Sequence, residues 1–137
     1  MCGTPSKEEK LQALLDLVSL FEELEWTVDA VVVEGSRDVK ALRRLGYRGR
    51  VEVCSRVGTA DVDLVEGLAK FAEVVVLTDF DKEGRRMNIR LTRLLERRGV
   101  KVEKLLRRMV GRLMAMLGVY AVEALDNVGE RLREPGH

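Results

Sequence analysis

The chain is poor in the residues that would announce zinc, disulfides or a membrane. It has two cysteines and one histidine in 137 residues. Cys2 and Cys54 form no C-x-x-C pair and make no zinc pattern with His137, which excludes a zinc ribbon and a disulfide scaffold. Two spectator thiols in a reducing cytoplasm are the expectation. No apolar stretch approaches the roughly 20 residues that cross a bilayer, so no membrane partner is expected. The opening residues, Met1 to Lys7, carry no apolar core, and a signal peptide is not expected. Aromatics are only 4%. Few of them lie near the basic segment described below, so base stacking is not indicated. Neither an internal repeat nor a low-complexity segment is present.

What is there suits one globular core and is too short for two. Hydrophobic residues make up 46% and charged residues 34%, with a net charge of only +1. That balance hides a split. Residues 1–81 carry 10 Lys/Arg against 16 Asp/Glu, whereas residues 82–112 carry 12 against 3. Such asymmetry separates a metal-binding half from a polyanion-binding half.

Helix and strand signals alternate along the chain. An amphipathic helix is predicted from about Ser6 to Glu25, with Leu11, Leu14, Leu15, Val18, Phe21 and Leu24 at helical spacing and a capping box at Ser6 and Glu9. Strands follow at about 28–34, 50–54, 73–79 and 100–103. Between them come helices opening at Ser36, capped at Thr59, and running from Lys82 to Arg98. Four strand–helix alternations predict an α/β sandwich on a mainly parallel sheet of about four strands. After Lys104 the pattern becomes a helical pair, about 105–117 and 119–132, broken at Gly118. The expected organisation is an N-terminal helix (1–27), an α/β domain (28–103) and a C-terminal helical extension (104–137) on the same core. Leu105, Leu106, Met109, Val110, Leu113, Met114, Met116 and Leu117 should mostly cover the sheet or the first helix. A homodimer seam or a protein partner on this extension is the alternative.

Two apolar runs end in acid. Val31-Val32-Val33 runs into Glu34-Gly35, and Val74-Val75-Val76-Leu77-Thr78 into Asp79-Phe80-Asp81, with Gly84 close behind. Runs of β-branched residues without polar alternation mark strands buried on both faces, and ligands of such sheets sit beyond the strands' carboxyl ends. Glu34, Asp79 and Asp81 are therefore expected at one rim. Crowded carboxylates raise one another's pKa unless a cation sits among them. An all-oxygen donor set points to Mg²⁺, with Mn²⁺ as a substitute. Gly35 and Gly84 are expected to allow tight turns, and Asp38 is either a further ligand-shell residue or a first-turn residue of its helix. For Asp79-x-Asp81 the competing reading is an N-cap, which explains one aspartate and not two.

Arg86, Arg90, Arg93 and Arg97 lie on one line of a helix, and Arg107, Arg108 and Arg112 extend the basic region. A solvated, ion-paired face is the ordinary reading. Nine excess positive charges in 31 residues favour contact with phosphates of RNA or DNA.

The two acidic blocks, Val33-Glu34-Gly35 with Asp38 and Thr78-Asp79-Phe80-Asp81-Lys82-Glu83-Gly84, resemble those of a Toprim domain, the catalytic module of bacterial-type primases, type IA and type II topoisomerases and several nucleases. Val57-Gly58-Thr59-Ala60 resembles the segment after the second strand in primases, which adds Gly58 as a supporting residue. The likeness covers about residues 28–103. The whole chain is similar to small stand-alone Toprim proteins of archaea, and more distantly to the ribonuclease that matures 5S ribosomal RNA in some bacteria. The resemblance implies a Rossmann-like Toprim sandwich and Mg²⁺-dependent phosphodiester chemistry. Glu34 would act as general acid/base, and Asp79 and Asp81 would hold the metal. Arg85 follows Gly84 where topoisomerases carry another Glu. Tyr47 and Tyr120 lack the context of a strand-breaking tyrosine. A nuclease or RNA-processing protein is thus expected, the alternative being a non-catalytic nucleic-acid-binding or scaffold module.

Overall fold

A computed structural model describes residues 3–54 and 61–133. Cys2, His137, Gly58 and the primase-like segment Val57 to Ala60 lie outside the described residues.

The chain opens with helix α1 (Lys7–Thr27). The capping box forms as the sequence predicts: Glu9 N–H donates to Ser6 Oγ at 3.1 Å, and Ser6 N–H to Glu9 Oε1 at 2.9 Å. Strand β1 (Ala30–Val33), helix α2 (Ser36–Arg44), strand β2 (Val51–Val53), helix α3 (Asp61–Leu68) and strand β3 (Glu73–Val76) follow. Helix α4 (Lys82–Arg97), strand β4 (Lys101–Val102) and helix α5 (Lys104–Met116) come next, and a 3₁₀ turn (Val122–Ala124) leads into helix α6 (Leu125–Arg133).

The four strands form one parallel sheet in the order β2-β1-β3-β4. Both faces are covered. Alternation along β1 sends Val31 and Val33 into a core with α1, α2, α5 and α6, and Ala30 and Val32 into a second core with α3 and α4. All four β1 residues are buried, which explains the unbroken apolar run.

The strands are shorter than the sequence predicts. β1 starts two residues later, and β3 ends at Val76 rather than Asp79. Leu77 N–H still pairs with Val32 O at 2.7 Å, but the next residues leave the ladder for contacts with α4 and α5. The C-terminal pair differs too. Gly118, at φ +75°, ends α5, and residues 119–121 are non-helical before the 3₁₀ turn. Val110, Met114, Leu117, Val122, Leu125 and Val128 are buried in the α1 core, so most apolar residues of the extension cover α1 and the sheet; Leu105 and Met109 stay exposed.

From β1 the chain goes out to β2 on one side, then returns to place β3 on the other. That reversal makes the gap between β1 and β3 the switch point, where ligands of open α/β sheets bind.

Candidate metal and nucleic-acid site

Glu34 is the first residue past β1, and Asp79 lies three past β3, the neighbouring strand. The two meet directly: Glu34 Oε2 accepts the Asp79 N–H at 2.7 Å. Gly35 corrects an expectation. Its φ is −154°, extended backbone open to any residue, and an added Cβ would meet nothing within 4 Å. It serves as N-cap of α2, its N–H donating to Asp38 Oδ2 at 3.0 Å. Asp38 is buried, and that burial above all raises its carboxyl above the usual range, with the nearby charges of Glu34 and Glu123 adding to the effect.

The loop carrying Asp79 is held from three directions. Thr78 Oγ–H donates to Gly84 O at 2.6 Å, tying the loop to the first turn of α4. Gly84 is required there, because a Cβ would stand 2.0 Å from the Asp79 carbonyl oxygen. The backbone of the 118–122 segment supplies the second tie: Val122 N–H donates to Asp79 Oδ1 at 3.0 Å, and Phe80 N–H to Tyr120 O at 2.7 Å. Arg107 of α5 supplies the third. Its guanidinium donates to the carbonyls of Val76, Thr78 and Asp79 at 3.1, 2.8 and 3.2 Å and lies 4.3 Å over the Phe80 ring. Behind that ring a Cβ at Gly111 would come within 2.6 Å of Phe80 Cε1, so Phe80 rests against bare helix backbone.

Asp81 behaves differently from Asp79. It is exposed and caps α4, Oδ1 accepting the Gly84 N–H at 2.7 Å. Capping thus accounts for Asp81, while Asp79 answers to Val122. Among the described residues no three Asp, Glu, His or Cys side chains form a ready-made metal group.

The electrostatics still ask for a cation. Burial, followed by the charges of Glu34, Asp38 and Asp81, pushes the Asp79 carboxyl up to about 6, against the lowering effect of its bond to Val122. Mg²⁺ keeps several waters and is held by one or two carboxylates plus substrate phosphates, without a full protein cage. Glu34 and Asp79, with Asp81 at the edge, fit that donor chemistry; a closed, all-protein site they are not.

Arg86, Arg90, Arg93 and Arg97 are exposed along α4. At about 1.5 Å per residue the row runs about 17 Å away from the rim, and Arg86 lies 3.6 Å from Glu83. Arg107 does not belong to this surface. It is 7% exposed and donates inward to carbonyls, so its expected role on phosphate is replaced by a structural one. Burial, and next the charge of Arg85, pulls its pKa down to about 10. Arg108 and Arg112 share a cavity with Arg85, which the sequence reading left out of the basic set.

A family model described as a Toprim domain matches residues 29–106. A UPF0292 protein of Pyrococcus abyssi is 32% identical over 117 residues, covering 85% of this chain and 82% of its own. A UPF0292 protein of Thermococcus gammatolerans is 34% identical, at 85% and 84% coverage, and one of Methanosarcina barkeri 31%, at 91% and 86%. Among solved structures, a putative protein from Aquifex aeolicus has the same fold, with a TM-score of 0.60 at 24% identity over 83% of this chain and 95% of that one. No helix among the described residues is long and apolar enough to cross a membrane. A Toprim domain carries with it a metal-dependent function on nucleic acid. With that domain matched over more than half its length and archaeal relatives aligned nearly end to end, the chain belongs to the Toprim family, among its small UPF0292 proteins.

Proposed function

We propose that the protein carries out Mg²⁺-dependent phosphodiester chemistry on nucleic acid, as a nuclease or RNA-processing enzyme. The contact of Glu34 with the Asp79 backbone across the β1–β3 switch point is the observation that carries this reading. Asp79, with Asp81 beside it, would hold the metal, which would neutralise a phosphate and favour the attacking or leaving oxygen. Glu34 is positioned to take or give a proton at the same rim. Arg107 keeps the Asp79 backbone in place through three carbonyls, so the carboxylate need not be ordered when substrate arrives. The row from Arg86 to Arg97 would grip the phosphate backbone by charge, independent of sequence.

A second reading has its own support. Glu34, Asp79 and Asp81 each already accept a backbone N–H, as side chains in purely structural roles do. A non-catalytic nucleic-acid-binding module would bind in EDTA and turn nothing over. Incubation with structured RNA and with single- and double-stranded DNA, with and without Mg²⁺ or Mn²⁺, separates the two. Cleavage that requires the metal and disappears in Glu34→Gln and Asp79→Asn is the expected result. Cleavage persisting in both variants from nuclease-free preparations would rule the catalytic assignment out.

A further inference from the structure

A cavity of about 550 Å³ opens between α4 and α5, past the carboxyl ends of β3 and β4 and next to the acidic rim. Pockets of about 300–1,000 Å³ suit small molecules rather than a continuous strand. Val76, Val102 and Ala115 give it an apolar lining, and Phe80 and Tyr120 add aromatic surface. Arg85, Arg108 and Arg112 also line it, and none of the three has an ion-pair partner among the described residues. Lys104, by contrast, is already paired with Glu96 at 2.8 Å. At the N-terminus of α5, Glu103 makes no side-chain capping bond, so the first-turn N–H groups gain no acceptor from it. Arg85 is close enough to Arg107 for the two charges to repel, with no anion between them.

Three unpartnered guanidiniums and an uncapped helix start, enclosed in one cavity, describe an anion site of more than one negative charge. A phosphomonoester carries about −1.5 to −2 at neutral pH, whereas an internal phosphodiester carries about −1. Guanidinium forks bind such oxygens two at a time. Tyr120, 61% exposed, offers a face on which a base can stack.

We propose that this cavity is a pocket for a terminal nucleotide, its phosphomonoester held by Arg85, Arg108 and Arg112 and its base lying on Tyr120. The proposal deepens the functional reading and rests on nucleic acid being the substrate. It makes the protein a reader of phosphorylated ends, with the acidic rim a short distance along the strand.

The test is equilibrium binding in EDTA at fixed salt, using short single-stranded oligonucleotides of one sequence with a 5′-phosphate, a 3′-phosphate or hydroxyls at both ends. One hydrogen-bonded charge contact is worth about 1.5–3 kcal/mol, so one phosphorylated form should bind at least about tenfold tighter than the hydroxyl form. The Arg85→Gln/Arg108→Gln double variant, changed only at exposed positions, should lose that preference and still bind the hydroxyl form. Adenosine monophosphate as competitor distinguishes the sources: competition equal to the phosphorylated oligonucleotide assigns the pocket to free nucleotides, weaker competition to strand ends. Equal affinity for phosphorylated and hydroxyl forms, or a preference surviving the double variant, would overturn the proposal. Because EDTA silences the acidic rim, the two ideas fail separately. Metal-dependent cleavage without end preference would remove the pocket alone, and end preference without cleavage would remove the nuclease alone.

Discussion

Replacing Asp79 by Asn should make the protein more stable while removing its activity. Burial raises the Asp79 carboxyl from 3.8 to about 6, so its charged form is disfavoured in the folded state. At about 1.4 kcal/mol per pKa unit, the full shift would cost about 3 kcal/mol at neutral pH. The carboxylate is only partly buried, and solvent screening reduces this to about 1–2 kcal/mol. The sign follows from linkage: the folded pKa lies above the unfolded one, so stability is highest below about 3.8 and falls as pH rises through about 6. Asn keeps the acceptor for the Val122 N–H and carries no charge. Thermal melts of wild type and variant should therefore coincide near pH 4 and separate by about 3–8 °C at pH 7.5, the variant being higher. Millimolar Mg²⁺ at pH 7.5 should raise the wild type and leave the variant nearly unmoved, since the ion offsets the buried charge only where there is one. A variant less stable than wild type at pH 7.5, or a difference independent of pH, would refute the reasoning.

Three further outcomes follow from the geometry. Arg107→Met removes the donor to three carbonyls and should lower the unfolding free energy by about 3 kcal/mol in urea titration; a change under about 1 kcal/mol would mean the strut is not needed. Gly84→Ala sets a Cβ 2.0 Å from the Asp79 carbonyl, and should cost about 1–3 kcal/mol and abolish metal-dependent cleavage; unchanged activity would show that the loop can shift. Arg90→Glu/Arg93→Glu should weaken nucleic-acid binding uniformly across sequences and flatten its dependence on log salt by about 2, measured by anisotropy from 50 to 200 mM salt; an unaltered slope would place the phosphate track elsewhere.

The sheet was legible because its strands are buried on both faces. Val31 to Val33 and Val74 to Val76 have no polar residue to confuse the period. Their ends were less legible: Thr78 and Asp79 extend the β-branched pattern in sequence, yet bonds to Gly84, Val122 and Arg107 pull them off the ladder. The acidic rim could be read from the topology rule, since acids at the ends of adjacent parallel strands must converge. The finer roles could not. Arg107 looked like one more surface cation, although it shares the spacing of Val110, Met114 and Leu117, all buried on one face of α5. An arginine in a core row was the available signal that it points inward. The ties from Tyr120 and Val122 are backbone contacts over about forty residues, and no side-chain pattern encodes them. Arg85 escaped notice because it lies off the Arg86–Arg97 line, and only the packing of α5 against the sheet brings it into one cavity with Arg108 and Arg112.

The central claim is that Glu34 and Asp79 serve one divalent cation at the β1–β3 rim. Crystals soaked in Mn²⁺ and measured at the manganese edge test it directly. The account predicts an anomalous peak within coordination distance of an Asp79 carboxylate oxygen and beside Glu34, absent in Asp79→Asn crystals. A peak at another surface, or none while both carboxylates stay bonded only to the Asp79 and Val122 amides, would contradict it.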